Sequence, residues 1–148
     1  MTSTLLQRIV LPVASEADAK ATARAAAPYV ESDTSVSVVH VVEKAGGAPD
    51  KASVEQREEL GREITTLVAD RLAEQTESVS TEILYGEDIV ETVVEHAKEI
   101  DATAVAFLPR NAGLLTRLLS GQNTVSMVTD TDLPVIVLPE IEGESNDE

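Results

Sequence analysis

A chain of 148 residues is enough for one domain of ordinary size, which buries roughly 70% of its unfolded surface and needs no disulfide or metal staple. The absence of cysteine excludes disulfide frameworks, thiol nucleophiles and cysteine-based zinc or iron-sulfur sites. With 27 acidic against 11 basic residues and a formal net charge of -16, electrostatic repulsion excludes nucleic acid and anionic membrane as general partners.

The N-terminal stretch MTSTLLQRIVLPV carries Arg8 where a secretory signal needs an unbroken apolar run, so a cytoplasmic protein is the expectation. Arg8 to Val13 (RIVLPV) is a near-continuous run of branched aliphatics, as suits a central strand buried on both faces. Ser15 with Asp18 three residues later gives a capping box for an alanine-rich helix expected to reach about Val30. Val36 to Val42 reads as a second strand. The turn-rich AGGAPD follows, then an amphipathic helix from about Ala52 to Gln75, with Ser53 and Gln56 in cap spacing. A third strand spans Val79 to Leu84. Beyond it Ile89, Val90, Val93, Val94, Ala97 and Ile100 recur at helical spacing. Ala104 to Leu108 is the fourth strand, about Thr124 to Thr129 a helix, and Pro134 to Leu138 the fifth strand. The acidic tail GESNDE is expected to fray. Strict alternation of strands and helices means right-handed βαβ units, a parallel sheet and one domain over residues 1–148, frayed from about 140.

Ligands in such sheets bind beyond the carboxyl ends of the strands, which directs attention to the loops VASEAD and LPRNAG. No GxGxxG or GxxxxGK[ST] occurs, so the ordinary dinucleotide and P-loop signatures are absent. His40 is expected to be a hydrogen-bonded core or strand-end residue and His96 a solvated helix-face residue. Glu58 with Glu59, and Glu87 with Asp88, are pairs that so acidic a composition produces unaided. Residues 102–129 hold Arg110 and Arg117 but no acid, where an even spread would place about five. A phosphate site at Gly121 and neighbouring amides, an oligomer contact and simple apolar burial each account for the deficit. High acid, only four lysines, abundant alanine, valine and threonine, and a single phenylalanine resemble the proteins of organisms that hold molar salt in the cytoplasm. A merely acidic protein from an ordinary organism is the alternative.

RIVLPVASEADA, SVSVVHVVE, ILYGEDIVETVVEHAKEIDATAVAF and LLTRLLSGQNTVSMVTDTDLPVIVLP together resemble the universal stress protein family across Arg8 to Pro139. The resemblance implies an open five-stranded parallel sheet in the order 3-2-1-4-5, α/β and Rossmann-like (adenine nucleotide alpha hydrolase-like), with helices on both faces. ATP-binding members carry a glycine, two residues, a second glycine, nine residues, then a third glycine followed by Ser or Thr, with an Asp ending strand one. Here Leu108, Asn111, Gly121, Gln122 and Ala14 occupy those positions, so four of five expected residues differ. Leu108 resists the positive φ that glycine permits, and Pro109 supplies no amide.

The resemblance accordingly implies a non-enzymatic, stress-linked regulatory dimer that binds a partner protein, such as a transporter or enzyme, with no cofactor. The alternative is a divergent ATP/AMP or phosphate-metabolite sensor, using magnesium with ATP, built from Val13, Ala14, Ser15, Val41, Arg110, Asn111, Gly121, Gln122, Asn123 and Thr124. Strand five would otherwise be an exposed apolar edge, which places Val135, Ile136, Val137 and Leu138 at a two-fold interface. No membrane insertion is expected, since no segment approaches 18 consecutive apolar residues.

Overall fold

The computed structural model describes residues 4–43, 51–108 and 133–139. After a 3-10 turn at Thr4–Leu6, β1 (Arg8–Pro12) enters the centre of the sheet, and α1 (Glu16–Ala26) follows. Then come β2 (Ser35–Glu43), α2 (Lys51–Leu72), β3 (Val79–Gly86), α3 (Ile89–Glu99), β4 (Ala104–Phe107) and β5 (Val135–Val137). Every described strand pair is parallel, as the alternation of strands and helices predicts, and the order is β3-β2-β1-β4-β5, as the resemblance implies.

The branched aliphatics of β1 supply both faces of the sheet. Ile9 and Leu11 join Val36, Val38, Ile64, Val68 and Leu72 on the side covered by α1 and α2. Val10 joins Val39, Val93, Ala97 and Val105 on the side covered by α3. Helix α1 lies close on the sheet because Ala19, Ala23, Ala25 and Ala26 present side chains no larger than a methyl, all buried. It stops at Ala26, short of Val30, where the chain turns through a 3-10 segment, Ala27–Tyr29. Pro28 has no amide to continue the i to i-4 ladder.

Helix α2 begins at Lys51, so Ser53 sits inside it and is not its cap. The helix expected over about Thr124–Thr129, the AGGAPD segment from Ala45 to Asp50 and the tail lie outside the described residues.

Thr103 ties the start of β1 to β4. Its hydroxyl is shared between the carbonyls of Leu5 (2.8 Å) and Arg8 (2.9 Å), while Arg8 N-H donates to its oxygen at 3.0 Å. At the far edge β5 is three residues long. Ile136 is half-buried, Leu138 is buried just beyond the strand, and Val137 is 54% exposed. Among the described residues no helix is long and apolar enough to cross a membrane.

Candidate functional site

The strand order reverses between β1 and β4, and the turn leaving β1 sits at that point. Val13 is buried there. Its N-H donates to Val39 O at 2.9 Å, and its carbonyl accepts from His40 Nδ1 at 3.0 Å. A carbonyl only accepts, so His40 carries a proton on Nδ1. His40, read as a hydrogen-bonded core or strand-end residue, is hydrogen-bonded and half-buried within β2, and its partner is the backbone of the site turn.

Ala14 and Ser15 are exposed, and Ser15 caps α1 by accepting from Asp18 N at 3.1 Å. Asp18 returns the interaction one residue earlier than a capping box requires, with Oδ2 accepting from Ala14 N at 2.8 Å. Its Oδ1 accepts from the buried Thr22 hydroxyl at 3.2 Å. Together with Glu16 in the same first turn, this carboxylate places negative charge at the positive end of α1. The spacing Ser15 to Asp18 was the visible signal for the cap, but not for the acid's hold on Ala14.

Val41 is half-buried on the α3 side with Leu84 and Ile89, whereas Val13 belongs to the opposite core. The two valines named together in the sequence therefore present their side chains to different faces of the sheet. Leu108, at the first glycine position, is 3% exposed in the core below α1. Its φ is ordinary, since Asp101 is the only described non-glycine residue with positive φ. Arg110, Asn111, Gly121, Gln122, Asn123 and Thr124 lie outside the described residues.

His96 is not the solvated helix-face residue expected. It is half-buried, and its Nε2 lies 3.2 Å from Ser37 Oγ across the interface of α3 with β2. Of the acid pairs, Glu58 accepts a hydrogen bond from the Tyr85 hydroxyl, and Asp88 caps α3 by accepting from Glu91 N at 3.0 Å. No group of three or more His, Asp or Glu side chains suited to a metal ion occurs among the described residues.

The family model for the universal stress proteins matches residues 6–139, nearly the whole chain. The chain belongs to the universal stress protein family. Its fold is similar to that of universal stress protein UspA from Lactobacillus plantarum, with TM-score 0.71, 19% identity, and coverage of 90% of this chain and 98% of that one. A universal stress protein family member from Burkholderia pseudomallei gives TM-score 0.60 at 17% identity, covering 93% of this chain and 98% of the other. A universal stress protein solved in complex with cAMP gives 0.62 at 16% identity, covering 91% and 98%. A search of curated proteins found no match. At these identities the neighbours establish the shared sheet and helix arrangement of the universal stress proteins, not a shared ligand.

Proposed function

We propose that this universal stress protein is a non-enzymatic regulatory protein of the cytoplasm that acts as a dimer through a protein partner and binds ATP weakly. The observation that carries the reading is Leu108. Where ATP-binding members have glycine, this chain has a buried leucine in ordinary backbone conformation, so the start of the loop lacks the freedom to bring its amides onto phosphate.

The turn after β1 supports the same reading. Ala14 stands where the family's Asp would be, so the turn has no carboxylate there to help hold a magnesium ion. The Ala14 amide is already engaged by Asp18, whose charge repels a phosphate. Ala14 and the engaged amide both support weak rather than tight binding of magnesium-ATP.

Calorimetry with ATP and magnesium at high salt tests the proposal. Weak binding without hydrolysis is expected, and a dissociation constant in the low micromolar range would overturn it.

A second reading, a divergent ATP/AMP or phosphate-metabolite sensor, is favoured by the neighbour solved with cAMP and by Gly121 with Gln122, Asn123 and Thr124 after it. Arg110 would supply the charge in that case. Under either reading we take the acidic, lysine-poor composition as salt adaptation and strand five as the dimer contact.

A further inference from the structure

A cleft of about 330 Å³ opens at the opposite end of the sheet from the β1 turn, between α3 and the amino-terminal ends of β2 and β3. The parallel register fixes its floor. Arg8 pairs with Ser35, Ser37 with Ser80, and Val39 with Glu82, and side chains alternate between faces, so Ser35, Ser37, Ser80 and Glu82 all rise on the α3 side. Helix α3 contributes His96 and Ile100 as the wall. This set plays no part in the site at the carboxyl ends of the strands.

Several of these groups are held in place before any ligand arrives. The Arg8 guanidinium donates to Ile100 O at 2.8 Å, which leaves further N-H groups of its fork available. Ser78 donates to Ser35 at 3.0 Å, and Ser37 is paired with His96 at 3.2 Å. The side chains of Ser80 and Glu82 make no hydrogen bond or ion pair among the described residues and are exposed to the cleft.

Charge decides which ligand fits. Glu77 and Glu82 line the cleft against the single Arg8, and the carboxyl end of α3 adds the negative end of its dipole, so an anion is disfavoured. An apolar molecule would strand the row of hydroxyls and the carboxylate. A molecule bearing many hydroxyls donates to Glu82 and accepts from Arg8 while exchanging hydrogen bonds with the serines. The cleft volume lies at the small end for ligand sites.

We propose that this cleft binds a neutral polyhydroxylated small molecule of monosaccharide or polyol size. The full chain is titrated with glucose, with a linear hexitol and with glucose 6-phosphate, following the imidazole resonances of His96 and His40 by NMR. The expected result is a saturable shift of His96, but not of His40, with glucose or the hexitol. Glu82→Gln and Ser80→Ala, both at exposed positions, should weaken binding by about tenfold for the charged carboxylate and by about three- to tenfold for the neutral hydroxyl.

Thermal melts confirm that each variant is folded. If Glu82→Gln does not fold, Ser80→Ala carries the test, since Ser80 caps nothing and fills no core. The proposal is overturned if neither neutral ligand moves His96 at tens of millimolar, if only the phosphate ester binds, or if Glu82→Gln and Ser80→Ala leave the affinity unchanged.

Discussion

Tyr85 stands 44% exposed near the end of β3, and its hydroxyl donates to the Glu58 carboxylate of α2. That hydrogen bond, then desolvation and the nearby negative charge of Glu58, hold the phenol above its ordinary value of 10.0, against a smaller lowering by Arg62. The folded state thus favours neutral Tyr85. The stability this supplies is present below about pH 10 and is lost as pH rises through the higher folded value. In a Tyr29→Phe background, absorbance titration at 295 nm should show Tyr85 ionising above the ordinary range, and Glu58→Ala should bring it back. An unchanged midpoint would show that the contact does not persist in solution. Leu108 gives a second test at this scale. Leu108→Gly with Asn111→Gly should strengthen ATP binding if the loop backbone is the obstacle. It also empties a core position at a cost of about 2–5 kcal/mol, so Leu108→Ala serves as the stability control. A double variant that is folded yet binds ATP no better would place the obstacle elsewhere, with Ala14 and Asp18 next to be changed.

Helix α2 is fitted to the sheet at Gly61, where an added Cβ would lie 2.6 Å from His40 Cδ2 and 3.0 Å from Ile83 Cδ1. In most helix interiors Gly→Ala stabilises by about 0.5–1 kcal/mol. Here it should destabilise by about 1–3 kcal/mol, read from urea unfolding, because α2 must lift or His40 must leave the Val13 carbonyl. A gain in stability would mean the helix has slack. The edge strand β5 carries a different prediction: Val137→Lys should yield monomers in sedimentation equilibrium at high salt. Val137 is the cleaner choice over Ile136 because it is exposed and leaves the core intact. A dimer that survives would move the search to the acid-free segment from Arg110 to Thr129. Strands and helices were legible wherever aliphatic periodicity ran unbroken, as in RIVLPV and in the stripe Val90, Val93, Val94, Ala97. His96 was misplaced because it flanks that stripe, three residues after Val93, where periodicity does not decide between solvent and sheet. Ser53 and Gln56 mimicked a cap inside a helix already under way. Asp18 was read as half of a capping box, but its grip on Ala14 depends on how the turn leaves β1, which spacing does not encode.

Across the whole molecule, a net charge of -16 repels itself over distances that molar salt shortens to about 3 Å. Salt would also weaken attractions at the surface of the described residues. The ion pairs Lys20–Glu16 at 3.9 Å and Arg71–Glu74 at 3.5 Å are both exposed, where such pairs contribute about 0–1 kcal/mol. The melting temperature should therefore rise as potassium chloride goes from millimolar to molar, and a flat or falling series would remove the salt-adaptation reading. The parallel class of the sheet was legible from alternation, whereas the order β3-β2-β1-β4-β5 rested on resemblance, because periodicity says nothing about which strands become neighbours. That order also sets a timetable for synthesis. β1 meets β2 through Arg8 and Ser35, but its other side waits for β4, and the Arg8–Thr103 hydrogen bond joins residues 95 apart in sequence. At about 5–20 residues per second, a nascent chain would hold the open side of its central strand for roughly 5–20 s before the partner emerges. During that interval the hydrogen-bonding edge most exposed to mispairing is the one that becomes the innermost of the finished protein. A helper that shields nascent chains would find its target in the first 40 residues, on the side of β1 that β4 later closes.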